Sequence, residues 1–183
     1  MYKSFMNEKA HCIWKIYKIL KFSPKKGRPY WAKKGQKMDD LQDVYNDLIM
    51  EHSMNSYNKK KLETCDLCEM GHNPNCGDEI ELQVKLNGDV IEDMAFSGHG
   101  CAISQASTSI MIDTLKGKTL EEAKQIIDTF IGMIKREITD EAELKKLDEA
   151  IALRNVSNMP ARVKCALLAW HTLEDMIEKK NNK

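Results

Sequence analysis

The sequence predicts an α+β fold, in which a small antiparallel sheet of about three strands packs against helices. Two observations indicate this class. A β-hairpin pattern occupies the middle of the chain, and the patterns that follow it are helical. Strands that are followed by a run of helices are typical of α+β proteins.

A helix is predicted before the hairpin. Asp39 or Asp40 can cap it, because a carboxylate at that position accepts hydrogen bonds from the free N–H groups of the first turn. Its apolar residues recur at helical spacing. They are Leu41, Val44, Tyr45, Leu48 and Ile49. We expect the polar stretch 52–58 to end this helix.

The hairpin has the clearest pattern. Apolar and polar residues alternate along its first strand. The apolar ones are Ile80, Leu82, Val84 and Leu86. Asn87-Gly88 is predicted to form the two-residue turn, because both residues tolerate a positive φ angle. The second strand runs from Val90 to Phe96, and residues near 62–70 could add a third.

Four helices are predicted after the hairpin. The first runs from Cys101 to Leu115. The second opens at Thr119–Glu122, which has the spacing of a capping box. A shorter helix spans Asp140 to Leu153. Pro160 suits the first turn of the last helix, which we expect to reach about Lys179.

The charges divide the chain into a basic arm, 1–37, and an acidic domain, 38–183. The arm holds eleven Lys or Arg and one acid, Glu8, whereas the domain holds 17 bases and 27 acids. Such an arm could touch a membrane surface or nucleic acid. The simpler interpretation is a disordered arm, or a stretch upstream of a natural start at Met38. We expect no nucleic-acid partner.

The hydropathy pattern excludes other classes. No apolar run approaches the roughly 18 residues of a bilayer span, so we expect no membrane-spanning segment. Lysines interrupt the apolar residues between Ile13 and Phe22, and no cleavage site follows, so we expect a cytoplasmic protein without a secretory signal. Cysteines in that compartment are more often metal ligands or reactive thiols than disulfides.

Three of the six cysteines lie where local structure favours a thiolate. Cys76 lies in the turn 73–78 before the hairpin. Cys101 opens a helix, and Cys165 lies about one turn into the last helix, where free N–H groups stabilise negative charge. With Asp78 they can form a tetrahedral zinc site. On spacing alone, three ordinary buried cysteines are nearly as good an interpretation.

Three ordered motifs resemble those of SufU-type proteins, which belong to the IscU/NifU-like iron–sulfur biogenesis superfamily. The motifs are Asn73-Pro74-Asn75-Cys76-Gly77-Asp78, Gly98-His99-Gly100-Cys101-Ala102-Ile103-Ser104 and Pro160-Ala161-Arg162-Val163-Lys164-Cys165-Ala166-Leu167-Leu168-Ala169-Trp170. The likeness covers residues 38 to about 178. Two features favour the SufU type over the IscU scaffold type. They are the long interval between Cys101 and Cys165, and Lys164, where IscU-type chains carry a histidine.

The resemblance implies a SufU/IscU-like fold and a zinc-dependent sulfurtransferase. Its Zn²⁺ ligands would be Cys76, Asp78, Cys101 and Cys165. Cys76 would accept persulfide sulfur from a SufS-type cysteine desulfurase, after a histidine of that enzyme replaces it on zinc. The sulfur would then pass towards a SufBCD-type scaffold. Arg162 would help to dock the partner or to trigger the exchange.

The resemblance leaves alternatives open. The same cysteines could hold a transient [2Fe–2S] cluster, as on an IscU-like scaffold that delivers clusters to apo-proteins, or the zinc could be purely structural. Cys65-Asp66-Leu67-Cys68 departs from the SufU pattern. With His72 and Cys76 it could form a second metal site or disturb the first, or it could be two surface thiols. We expect His99 to face solvent and Trp170 to lie in the core or an interface.

Overall fold

The structure is a computed structural model that describes residues 41–54 and 56–182, with side chains described from residue 47 onward. It confirms the predicted α+β fold, in which three antiparallel strands pack against helices. The predicted arm 1–37 and the capping residues Asp39 and Asp40 lie outside the described residues.

The sheet has the strand order β1-β2-β3. The strands are β1 (Leu67–Asn73), β2 (Asp78–Asn87) and β3 (Val90–His99). The predicted third strand therefore exists, but it begins and ends later than 62–70, because its ladder with β2 continues to the pair Asn73–Asp78. The ladder also corrects the predicted turn. Asn87 pairs with Val90, so the two-residue turn is Gly88-Asp89, with a positive φ of 64° at Gly88.

Burial confirms the predicted alternation at three of the four apolar positions of β2, whereas Leu86 is partly exposed and the polar Gln83 is buried. Ile80, Leu82 and Val84 are at most 1% exposed. A bulge separates the pairs Lys85–Asp93 and Leu86–Ile91. Because the bulge adds one residue to β3, it shifts the alternation by one position. Ile91 on one side of the bulge and Met94 and Phe96 on the other are consequently all buried.

The helices follow the predicted order. They are α1 (Leu41–Met54), α2 (Ala102–Leu115), α3 (Leu120–Lys135), α4 (Glu141–Leu144) and α5 (Pro160–Asn181). The capping box of Thr119 and Glu122 is present. The predicted helix from Asp140 to Leu153 is wrong. Asp140 caps only the four-residue α4, and a 3-10 helical segment, Lys145–Asn158, follows it. The chain leaves helical geometry at Asp148, whose φ is 49°.

Helix α5 is the centre of the packing, because it contacts β1, β2, α2, α3 and the 3-10 segment. Trp170 of this helix is fully buried, which confirms its predicted core position. Its ring stacks on Phe130 with the centroids 3.8 Å apart, and its Nε1–H donates to Ser107 Oγ at 3.0 Å. The described residues include no helix that is long and apolar enough to cross a membrane.

Helix α1 packs on α2 through a polar contact. His52 Nδ1 lies 2.8 Å from Ser109 Oγ, and its Nε2 lies 3.9 Å from a carboxylate oxygen of Glu149. Burial lowers the pKa of His52. Burial, together with neighbouring carboxylates, raises the pKa of Glu149. This contact attaches α1 to the domain far along α2 from Cys101.

Candidate metal centre

Three segments of the chain meet at one end of the sheet. The first is the turn between β1 and β2, which carries Cys76 and leads into Asp78. The second is the start of α2, where Cys101 is the N-cap residue. The third is the beginning of α5, where Cys165 lies in the second turn. The fold therefore brings together residues that are up to 89 positions apart in sequence.

Backbone hydrogen bonds fix the turn that carries Cys76. The carbonyl oxygen of Asn73 accepts from Gly77 N–H at 2.9 Å and from Cys76 N–H at 3.3 Å. Gly77 adopts a φ of 67°, a left-handed conformation that glycine adopts without steric cost. The turn thus holds Cys76 directly beside the first residue of β2.

The ligand atoms of Cys76, Asp78 and Cys165 all lie within 4.8 Å of one another. The Cys165 thiol donates to Cys76 Sγ at 3.1 Å. Cys101 is attached to this group without belonging to it. Its backbone N–H donates to Asp78 Oδ1 at 2.8 Å. Its sulfur also caps α2 by accepting from Ser104 N–H at 3.4 Å.

The four side chains differ in exposure. Asp78 is fully buried and Cys165 is 1% exposed, whereas Cys76 and Cys101 are half-buried. Burial, helped by hydrogen bonds to Cys76, Asp78 and Cys101, raises the pKa of the Cys165 thiol well above its usual range. The buried thiol therefore keeps its proton unless a cation replaces it.

Arg162 is exposed and lies at the rim of the group. Its Nη1–H donates to Cys76 Sγ at 3.7 Å. A hydrogen bond with Cys165 raises the pKa of the Arg162 guanidinium, and the nearby sulfurs of Cys101 and Cys76 add to the effect. This permanent positive charge stabilises negative charge on Cys76.

Comparison with known proteins identifies the family of the chain. Residues 44–183 match the family of the NifU-like N terminal domain. The chain belongs to this family.

The relatives of this NifU-like domain include two types of protein. The zinc-dependent sulfurtransferase SufU of Bacillus subtilis (strain 168) is 41% identical over 141 residues, which are 76% of this chain and 93% of the relative. The iron–sulfur cluster assembly scaffold protein IscU of Streptococcus pyogenes serotype M1 is 37% identical over 145 residues, 79% of this chain and 89% of the relative.

A solved structure shares the fold of this NifU-like domain. It is the crystal structure of FiSufU from Fervidobacterium islandicum AW-1, named as an iron–sulfur cluster assembly scaffold protein for the SUF system. The match has a TM-score of 0.69 and 39% identity, and it covers 75% of this chain and 99% of FiSufU. The predicted resemblance to SufU-type proteins is confirmed.

Asn73 contacts two of the expected ligands, and the sequence analysis did not single it out. Its side chain is 5% exposed, and its Nδ2 amide lies 3.4 Å from Asp78 Oδ2 and 3.5 Å from Cys165 Sγ. Its Oδ1 accepts from Asn75 N–H at 3.2 Å. One buried amide therefore orients two of the expected ligands. The sequence feature that could have pointed to Asn73 is its position as the first residue of the motif 73–78.

The donor set of this NifU-like domain fits zinc. Thiolates and one carboxylate are ligands that Zn²⁺ accepts in a four-coordinate site, and buried anions require a cation. Gly100 adds no side chain to this end of the sheet, and a Cβ there would crowd the group, since it would lie 3.1 Å from Asp78 Oδ1 and 3.2 Å from Ser104 Oγ. In the described part of the chain, Ser104 Oγ is also the buried side-chain polar atom that lacks a hydrogen-bond partner.

Cys65 and Cys68 do not join this group. They are bonded to each other as a disulfide at the opposite end of β1. Cys68 lies five residues before Asn73, which corresponds to about 16 Å along a strand. The interpretation in which this pair shares a site with Cys76 is therefore wrong. His72 and His99 are both exposed, as predicted for His99, although His99 is the last residue of β3.

Proposed function

We propose that this chain is a zinc-dependent sulfur carrier of cytoplasmic iron–sulfur cluster assembly. Its sulfur donor would be a SufS-type cysteine desulfurase, and a SufBCD-type scaffold would receive the sulfur. The observation that carries the proposal is the grouping of Cys76, Asp78 and Cys165 within 4.8 Å, with Arg162 beside the most accessible of these ligands. The name of the Bacillus relative supports the same assignment.

Four residues would hold the zinc: Cys76, Asp78, Cys101 and Cys165. Cys101 is included because its N–H already donates to Asp78 Oδ1 and its sulfur lies at the start of α2 beside this carboxylate. Bound zinc keeps coordinating thiols deprotonated at neutral pH and has no redox chemistry of its own. Asn73 would hold Asp78 and Cys165 in place through its amide.

Cys76 is the best placed of these residues to accept sulfur. It is half-buried on a turn, whereas Cys165 is buried within a helix and Cys101 caps one. Its thiolate would attack the outer sulfur of a persulfide on the desulfurase. The persulfide S–S bond then breaks, its electron pair leaves with the desulfurase cysteine, and Cys76 carries the transferred sulfur. No external oxidant or reductant is required.

Arg162 would act at the same atom. Its guanidinium N–H already points to Cys76 Sγ, so it can stabilise the negative charge of the thiolate before transfer and of the persulfide after it. Because Arg162 is exposed at the rim, it can also contact a docked partner.

Sulfur transfer to a defined residue tests the proposal. The zinc-loaded chain is incubated with a SufS-type desulfurase and L-cysteine, then digested with a protease that cleaves after glutamate. We expect the peptide 70–79, which holds Cys76 alone, to gain the mass of one sulfur atom. The Cys76→Ala variant should take up none at this position, and the Cys65→Ser/Cys68→Ser control should react normally. Equal sulfur uptake by wild type and Cys76→Ala would refute the proposal.

The second candidate is an IscU-like scaffold that assembles a transient [2Fe–2S] cluster. It is favoured by the same donor set and by the relatives that are named IscU scaffold proteins. Reconstitution with iron and sulfide distinguishes the two. A carrier retains one zinc and stays colourless, whereas a scaffold exchanges zinc for a cluster with visible absorbance. The exposed Lys164, in place of the histidine of IscU-type chains, favours the carrier.

A further inference from the structure

The end of β1 that lies far from the metal centre carries a second pair of cysteine side chains. Cys65 precedes β1 and Cys68 is its second residue, and their Cα atoms are 6.4 Å apart. They are joined as a disulfide, and both residues are exposed. The other cysteines of the described chain, Cys76, Cys101 and Cys165, are free.

We propose that Cys65 and Cys68 form a reversible dithiol–disulfide couple, which exchanges electrons with solution thiols independently of the metal centre. The substrates of this site are low-molecular-weight thiols and the dithiols of reducing proteins. The couple needs no zinc and no desulfurase, so it stands apart from the proposed sulfur transfer.

Separation from the metal centre is the first argument. Cys68 pairs with Gln83 in the middle of β2, whereas Asn73 and Asp78 close the ladder at the other end. The distance of about 16 Å along the strand is far beyond the reach of a cysteine side chain. Reduction or oxidation of the pair therefore leaves the ligands Cys76, Asp78 and Cys165 where they are.

The second argument is that backbone hydrogen bonds, and not the disulfide, hold this segment in place. Asp66 N–H donates to the Val84 carbonyl at 2.9 Å, and the Asp66 carboxylate accepts from Leu86 N–H at 2.7 Å. Leu67 pairs with Val84 and packs against the core. The two residues between the cysteines are thus held on β2, so both thiols stay adjacent after reduction and can close the bond again.

Access and ring size are the third argument. Both cysteines are exposed to an attacking thiolate. The disulfide closes a loop of only four residues, and a short loop constrains the unfolded chain less than a long loop does. Breaking such a bond leaves the fold to be maintained by the core. The disulfide is therefore suited to exchange, because the core and not this cross-link maintains the fold.

The exchange is balanced in atoms and electrons. A thiolate attacks one sulfur of the pair, the S–S bond breaks, and the other cysteine leaves as a thiolate. A second thiol resolves the mixed disulfide. Two thiols are oxidised to one external disulfide, and the protein takes up two electrons and two protons as Cys65 and Cys68 become thiols.

A redox titration with residue-level readout tests this couple. The zinc-loaded protein is equilibrated in buffers that range from reduced to oxidised glutathione, then alkylated and digested with a protease that cleaves after glutamate. Peptide 64–69 holds only Cys65 and Cys68, and peptide 70–79 holds only Cys76. We expect peptide 64–69 to change from two alkyl groups to none across the series and back again on reversal. Zinc content and the circular dichroism spectrum should not change.

The control is the Cys65→Ser/Cys68→Ser variant, which should show no two-electron transition while it retains its zinc and its spectrum. The proposal is overturned if peptide 64–69 stays fully alkylated in every buffer, or if it resists excess dithiothreitol in the native state. It is equally overturned if reduction unfolds the protein. Sulfur uptake by Cys76 has no bearing on these outcomes, so the two proposals can fail separately.

Discussion

The two ends of the β1–β2 hairpin present cysteines in opposite settings. At one end Cys76 meets Cys165, which is 89 positions away in sequence, beside a fully buried carboxylate. At the other end Cys65 and Cys68 are three positions apart and exposed. The first group exists because three elements pack together, and the second is held by the strand alone.

The difference shows that burial and long-range packing determine what a cysteine does here. A buried thiol beside Asp78 and Asn73 has fixed neighbours, and a cation must replace its proton before it can be a thiolate, which suits a metal centre. Exposed thiols in a short loop meet solution thiols, which suits exchange. The two ends should therefore respond independently when one of them is changed.

The largest effect should come from metal binding. Zinc at a thousand times its dissociation constant should raise the free energy of unfolding by about 4 kcal/mol, because it binds the folded chain only. Cys165→Ser should lose most of this stabilisation, since it removes a buried ligand. Thermal denaturation with and without a chelator measures it. The Cys65→Ser/Cys68→Ser control should keep the full shift, and its loss there would contradict the separation of the two ends.

Two glycines should respond differently at the two ends of the sheet. A Cβ on Gly98, which pairs with Ile80 near the metal centre, would lie 2.1 Å from the Glu79 carbonyl oxygen. Gly98→Ala should therefore lower the free energy of unfolding by about 3 kcal/mol. Gly88 has open space around it, so an alanine there meets no other atom. Gly88→Ala should lower the free energy of unfolding by only about 1 kcal/mol, because alanine must adopt the left-handed conformation. Urea denaturation measures both, and equal losses would show that the site end is not tightly packed.

The next effect should come from the buried amide. Asn73→Ala removes the donor that reaches Asp78 and Cys165, so zinc affinity should fall by about 10- to 100-fold. Asn75→Ala, on the exposed side of the same turn, should leave the affinity unchanged. Competition with a coloured chelator measures the dissociation constants. If both variants bind zinc like the wild type, Asn73 has no positioning role.

The disulfide should contribute less to stability than the bound metal does. A cross-link around four residues stabilises a protein by about 2 kcal/mol in the chain-entropy account. The Cys65→Ser/Cys68→Ser variant should therefore be about 2 kcal/mol less stable than the oxidised wild type and equal to the reduced wild type. Denaturation in oxidising and reducing buffers gives the comparison. A difference that persists in reducing buffer would mean that these side chains stabilise the fold in another way.

The local patterns of the sequence predicted most of the fold. Alternation along β2 and the capping box at Thr119 depend on neighbouring residues, and the structure confirms the alternation at three of four apolar positions and the capping box. The predictions were wrong where contacts between distant parts of the chain determine the local structure. The turn moved to Gly88-Asp89 because the β2–β3 register keeps Asn87 paired. The predicted third helix broke at Asp148, whose backbone geometry no periodicity of side chains indicates.

The candidate site was less accessible to sequence reasoning. Spacing alone left the zinc site and three buried cysteines almost equally good as interpretations, and it was the resemblance to a known family that favoured the zinc site. Asn73 was missed because its role depends on two residues that it meets only in the folded chain. The Cys65–Cys68 spacing was noticed, but the pairing of the two sulfurs and their distance from Cys76 required the structure.

X-ray absorption at the zinc edge identifies the atoms that coordinate the metal in the zinc-loaded protein. The proposed site should give three sulfur ligands at about 2.3 Å and one oxygen at about 2.0–2.2 Å, the values for zinc thiolate and carboxylate sites. Cys76→Ala should lose one sulfur, and Cys65→Ser/Cys68→Ser should give an unchanged spectrum. A zinc ion whose spectrum changes in the second variant but not in the first would contradict the account.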